Sequence, residues 1–109
     1  MTKARMDWKR MELELDGHAD YAPAGQDIVC AAVSILTHSL IGALQELEAK
    51  YGLAQVEWSG NQAEGSMRIR GRVCWANLSV IRAYFEMAVT GLRMLAEEYP
   101  EHIELKEEK

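Results

Sequence analysis

The residue types that could do chemistry gather in the stretch GHADYAPAGQDIVCAAVS, residues 17–34, where His18 and Cys30 stand twelve positions apart. Thiol chemistry needs the thiolate, and a free cysteine is mostly protonated at neutral pH. Asp27 occupies the place of a helix N-cap, so Cys30 falls in the first helical turn, where unpaired N–H groups and the helix dipole favour an anion. The Asp27 carboxylate would oppose that effect if it pointed at the sulfur. As a cap it is directed at backbone N–H groups instead, and orienting an imidazole is a further role the sequence leaves open. His18 ends a strand just before the loop into this helix, and Gly17, Pro23 and Gly25 give that loop places to turn. A histidine within reach of the thiol would complete an activated Cys–His pair. His38 is no substitute, because eight helical residues set it about 12 Å from Cys30. The plain alternative is that Cys30, flanked by Ile28, Val29, Ala31 and Ala32, fills core space as buried cysteines commonly do.

The elements that must position these residues follow from periodicity. Met11 to Asp16 alternates apolar and acidic residues, the pattern of a half-buried strand, and Lys3 to Trp8 alternates more weakly before a tight turn around Lys9. From Ile28 to Lys50 the spacing becomes helical, with Val29, Val33, Leu36, Leu40, Leu44 and Leu47 on one stripe and Gly52 at the C′ position. A short strand from Ala54 to Trp58, a polar turn from Ser59 to Gly65 and a strand from Met67 to Val73 read as a hairpin. A second helix from about Ala76 to Tyr99 carries Leu78, Ile81, Phe85, Ala88, Leu92 and Leu95, and Pro100 closes it. Val80, Tyr84, Met87 and Met94 widen its apolar face, which therefore needs more than one neighbour, the first helix or a second subunit. His102 to Lys106 alternates again as an edge strand. The expected fold is α+β in two layers. A mostly antiparallel sheet of about five strands carries two helices on one face, in the order β-β-α-β-β-α-β, as one domain over residues 1–109.

The chain has 109 residues, a formal net charge of −5 and 49% hydrophobic residues, which fits one ordered domain with a real core. Its acidity gives no global footprint for nucleic acid. Arg68, Arg70 and Arg72 share one strand face and could bind RNA, although cross-strand pairing with Glu12, Glu14 or Glu57 is the simpler role. The charged N-terminus has no signal-peptide apolar core, and no run approaches twenty uninterrupted apolar residues, so a cytoplasmic protein without a membrane span is expected. There Cys30 and Cys74 would be reduced thiols, with Cys74 structural. No CxxC pair or other metal-ligand spacing supports a metal or a cofactor.

Residues 17–34 closely resemble the signature of the bacterial ribosomal-processing cysteine proteases, the Prp family, in which Gly-His-Ala is followed by Gly-x-Asp-Ile-Val-Cys-Ala at a helix start. A looser likeness continues through the hairpin and second helix to Tyr99-Pro100. The resemblance implies a homodimeric cysteine endopeptidase with Cys30 as nucleophile and His18 as base, and with Asp27 and Ser34 lining the site. Ser34 is one helical turn beyond Cys30 on the same face, which suits that placement. Main-chain N–H groups at the helix start would hold the oxyanion, and the loop from Tyr21 to Gln26, hinged at Gly25, would close over the peptide. The implied substrate is the N-terminal extension of large-subunit ribosomal protein twenty-seven, which ends in an apolar-aromatic segment. Phage relatives, thought to process capsid or scaffold proteins, suggest another substrate, and a non-catalytic peptide- or RNA-binding module is the remaining alternative. The chain departs from the family pattern in its first hairpin, which lacks a glycine turn.

Overall fold

The computed structural model describes residues 1–17, 27–52, 55–61 and 65–109. Their elements run β1 (Thr2–Asp7), β2 (Glu12–Asp16), α1 (Ile28–Tyr51), β3 (Gln55–Asn61), β4 (Ser66–Arg72), α2 (Leu78–Glu98) and β5 (Ile103–Glu108). The sheet order is β3-β4-β2-β1-β5. All neighbours are antiparallel except β1 and β5. That parallel pair follows from the connections. Two antiparallel steps, β4 to β2 and β2 to β1, leave β4 and β1 pointing the same way, and the α2 crossover returns the chain in that direction for β5.

Alternation decides which side is covered. Ala4, Met6, Leu13, Leu15, Ile69 and Ile103 are buried on the helical side and join Val29, Leu40, Leu44, Leu47, Ile81, Phe85, Val89 and Leu92 in one core. By length and composition alone α1 could cross a bilayer. Here its stripe covers the sheet instead. The two helices meet where Gly91 of α2 faces Leu36 of α1, so closely that a Cβ on Gly91 would lie 2.6 Å from a Leu36 methyl.

The first hairpin turns without a glycine because Asp7 Oδ1 accepts from the N–H groups of Lys9 and Arg10, each at 3.0 Å, and Met11 takes a left-handed φ of 51°. The second hairpin is longer than expected. Ser59, Gly60 and Asn61 pair with Arg68, Met67 and Ser66, so the ladder continues through residues whose polarity reads as a turn. Backbone pairing needs no apolar side chain, which is why composition misplaces this boundary. Helix α2 begins two residues later than expected. Buried Asn77 uses its amide to close the preceding turn, accepting from Cys74 N–H at 2.7 Å and donating to the Arg72 carbonyl at 3.2 Å. Leu78, expected in the core stripe, is therefore exposed at the helix start, and Met87 and Met94 also face outward.

The outer sheet face is charged and matched. Arg68 reaches Glu12 at 3.3 Å and Glu14 at 3.2 Å, Arg72 reaches Glu57 at 3.6 Å, and Arg70 stands in register between Glu12 and Glu57. These are the cross-strand pairs expected for the arginine trio, each worth at most about 1 kcal/mol. Burial pushes the Glu12 carboxyl up, and its neighbour Glu14 adds to this, while Arg68 opposes it.

On the helical side one ionic cluster fastens β5. Arg93 of α2 donates to Glu107 at 2.7 and 2.9 Å, and Trp8 Nε1 donates to the same carboxylate at 2.9 Å. The guanidinium of Arg82 lies 5.1 Å from the Trp8 ring centroid. The Arg93 hydrogen bonds, with help from Trp8, hold the Glu107 carboxyl down to about 2 from an ordinary 4.5, against the opposing effect of burial. A depressed folded-state pKa stabilises above the unfolded value and loses that contribution as pH falls through the folded value. Glu107→Gln is therefore expected to destabilise the protein at pH 7 by at most ~2 kcal/mol, allowing for solvent around Arg93. The difference from wild type should shrink between pH 4.5 and pH 2 in urea titrations. A gap unchanged across that window would show that the carboxylate contributes by packing alone.

Candidate active site

Asp27 caps α1 as the sequence suggests. Its backbone is extended, with φ −79° and ψ 103°, and its Oδ1 accepts from the N–H of Cys30 at 2.9 Å. The carbonyl of Asp27 accepts from Ala31 N–H at 3.1 Å, starting the helical ladder. Cys30 is thereby fixed in the first turn, half-buried against the core and outside any disulfide. The residue is neither sealed in the interior, as the core-filling alternative requires, nor fully in water. The cap has a chemical consequence. Asp27 already occupies the Cys30 amide, so the first-turn N–H groups available to an oxyanion among the described residues are those of Ile28 and Val29.

Ser34 is half-buried one turn further along α1. Its carbonyl accepts from Thr37 Oγ1 at 3.1 Å and lies 2.8 Å from His38 Nδ1. His38 is thus tied to its own helix and exposed, not turned back toward Cys30. Cys74, expected to be structural, is exposed beyond the end of β4, and its backbone N–H and carbonyl hold the turn before α2. The two cysteines are at opposite ends of the sheet. Glu48, near the end of α1, meets Val56 N–H at the start of β3, and β3 starts opposite Arg72, two residues before Cys74. Cys30 lies eighteen helical residues back, about 27 Å away along the axis, so the two thiols cannot share a disulfide or a metal ion.

His18, Gly25 and the proposed closing loop from Tyr21 to Gln26 lie outside the described residues. What is described is how the chain is aimed into that segment. Gly17 follows β2 with φ 87°, its N–H donates to the Gly65 carbonyl at 2.6 Å, and a Cβ there would overlap the Met1 carbonyl oxygen. Only glycine fits both the left-handed backbone and the close strand. Gly17→Ala is accordingly expected to cost about 1–3 kcal/mol. It should also lower activity more than this loss of stability explains, since Gly17 adjoins His18, the base expected from the sequence. Thermal unfolding and turnover measured below the melting transition check both parts, and normal turnover would show that the position of His18 does not depend on this clamp. The tertiary clamp by Met1 and Gly65 carries no sequence signal beyond the glycines themselves.

A family model for the cysteine protease Prp matches residues 1–104. No match was found among curated proteins. Among solved structures, the chain is similar to the essential ribosomal processing protease Prp from Staphylococcus aureus in complex with a covalently linked product peptide. That match has a TM-score of 0.83 and 23% identity, covering 99% of this chain and 100% of the other. The same protease in complex with a substrate peptide matches with a TM-score of 0.77 and 22% identity over 99% and 100% of the two chains. SMU.848 from Streptococcus mutans matches at 0.70 and 29% identity over 97% and 90%. At 22 and 23% identity the two protease structures establish likeness of fold. The five-stranded, largely antiparallel sheet with two helices is shared with them.

Proposed function

Because the chain belongs to the Prp family of cysteine proteases, we propose that it removes the N-terminal extension of a large-subunit ribosomal protein precursor, ribosomal protein twenty-seven, through a dyad of Cys30 and His18. The observation that carries this reading is the seating of Cys30 in the first turn of α1, half-buried and held through its amide by Asp27. A thiolate there is favoured by the helix N-terminus. The imidazole of His18 takes the thiol proton, the sulfur attacks the scissile carbonyl, and His18 returns the proton to the departing amine before water releases the acyl group. The N–H groups of Ile28 and Val29 meet the oxyanion. Ser34 lines the site one turn above the sulfur, and Gly17 and Gly25 shape the segment that carries His18. Such a substrate is made in the cytoplasm, where both thiols stay reduced.

A homodimer belongs to this reading. Ile28 and Ile35 lie seven residues apart on α1, and Met87 and Met94 seven apart on α2, all exposed. These two outward stripes give a second copy an apolar surface to cover. Sedimentation of the wild type as a monomer at micromolar concentration would remove that part.

The test is mass spectrometry of the full-length ribosomal protein precursor after incubation with wild-type protein and with Cys30→Ala. One cut, at the end of the apolar-aromatic segment and by wild type alone, is the expected outcome. An intact precursor under conditions where phage capsid or scaffold precursors are cut would overturn the substrate while keeping the enzyme class.

A further inference from the structure

The two edges of the sheet are guarded very differently. On β5 four of six residues are charged, Glu104, Lys106, Glu107 and Glu108, the usual device against unwanted strand pairing. On β3, sequence QVEWSGN, the sole charge is Glu57, and it turns to the outer sheet face to meet Arg72. The strand has no proline or lysine and carries Trp58, 47% exposed.

Which backbone groups this edge offers follows from two independent contacts. Gly71 donates its N–H to Met11, so its main chain points toward β2 and away from its opposite residue, Val56. Val56 N–H points outward, where Glu48 of α1 accepts it at 3.5 Å. Antiparallel strands alternate, so Gln55, Glu57, Ser59 and Asn61 bond to β4, while Trp58 and Gly60 turn N–H and C=O outward. Among the described residues nothing pairs with those outward groups. Glu48 thus closes one end of the edge, and among the described residues the remainder is open toward the end of the sheet that holds Cys30.

We infer that the open edge of β3 at Trp58 and Gly60 receives an extended segment of the substrate as an added strand, with Trp58 as an apolar wall for its side chains. This rests on the protease reading and names how the peptide is held. From Glu48 back to Cys30 is about 27 Å of helix, and from Val56 forward to Asn61 is about 17 Å of strand. Since α1 and β3 run in opposite directions, Cys30 lies about 10 Å beyond Asn61, or three residues of extended chain. A peptide paired with Gly60 and Trp58 therefore continues about four to six residues before its scissile bond reaches the sulfur. Main-chain pairing supplies affinity independent of sequence, and Trp58 selects apolar or aromatic side chains at alternate positions.

The experiment uses full-length Cys30→Ala protein, which binds without cutting, and a synthetic peptide with the sequence of the precursor's extension and cleavage site. Residue-resolved amide hydrogen exchange is measured with and without the peptide. The inference expects the Trp58 and Gly60 amides to slow by at least about tenfold on saturation, while those of Glu57 and Ser59, already bonded to β4, change less. Peptide N-methylated at the residue paired with Trp58 should bind at least about tenfold more weakly, and methylation one residue along should not. Resonance shifts at Val29, Cys30→Ala and Ser34 without protection of Trp58 and Gly60 would overturn the inference and leave the protease reading standing. No shift anywhere would count against both. Protection of the two amides that depends on protein concentration and not on peptide would assign the edge to a second copy of the chain and overturn the inference likewise.

Discussion

Cys30→Ala should leave the fold intact and lower kcat/KM for the precursor by at least about ten-thousand-fold. The substitution trims one half-buried side chain at the start of α1 and leaves the Asp27 cap untouched, since that bond uses the Cys30 backbone. Circular dichroism and melting should therefore resemble wild type. His18→Ala should cost a similar factor, and the double variant should be no worse than either single one, because in the proposed dyad each change ends the same proton-transfer sequence. A readout independent of any substrate is the rate of iodoacetamide alkylation at the two cysteines. Cys74 is exposed and Cys30 half-buried, so access alone makes Cys74 the faster. An activated Cys30 reverses that order at neutral pH, and His18→Ala restores it. Faster reaction at Cys74 in the wild type would return Cys30 to a structural role.

Phe85→Ala is expected to be the most damaging single change to stability, at about 3–5 kcal/mol. Phe85 is the largest fully buried side chain, and it reaches the sheet through a gap that Gly71 leaves. A Cβ on Gly71 would stand 2.8 Å from an Ile81 methyl and 3.1 Å from the Phe85 ring. Helix α2 thus lies against bare backbone of β4, and removing the ring leaves a cavity that neither the rigid sheet nor the helix can collapse to fill. Chemical denaturation should show the loss as a lower midpoint at unchanged slope. Gly71→Ala tests the same contact from the other side, since overpacking there costs about 1–3 kcal/mol. A Phe85→Ala midpoint within error of wild type would mean that α2 repacks freely.

Much of this is legible in the amino-acid sequence. Period-two alternation marks β1, β2 and β4, because a sheet with one covered face imprints its pleat on the sequence. The apolar stripe, Asp27 and Gly52 mark α1 from cap to cap, and Gly52 takes the expected left-handed φ of 62°. Capping is local, so local sequence suffices to read it. Failures fall where a distant partner decides. The ladder through Ser59, Gly60 and Asn61 exists because Arg68, Met67 and Ser66 lie opposite. Asn77 delays α2 because Arg72 and Cys74 offer it hydrogen bonds. The turn after Asp7 dispenses with glycine because a side-chain carboxylate replaces the missing backbone bonds.

The sequence by itself determined the family signature around Cys30, the order of elements, and the seat of the thiol at a helix start, since all three are carried by residues near in the chain. Tertiary structure alone decided the strand order, the clamp of Met1 and Gly65 on Gly17, and which strand edge stays open. These depend on residues brought together from far along the chain, and on backbone groups whose direction only the neighbouring strand fixes.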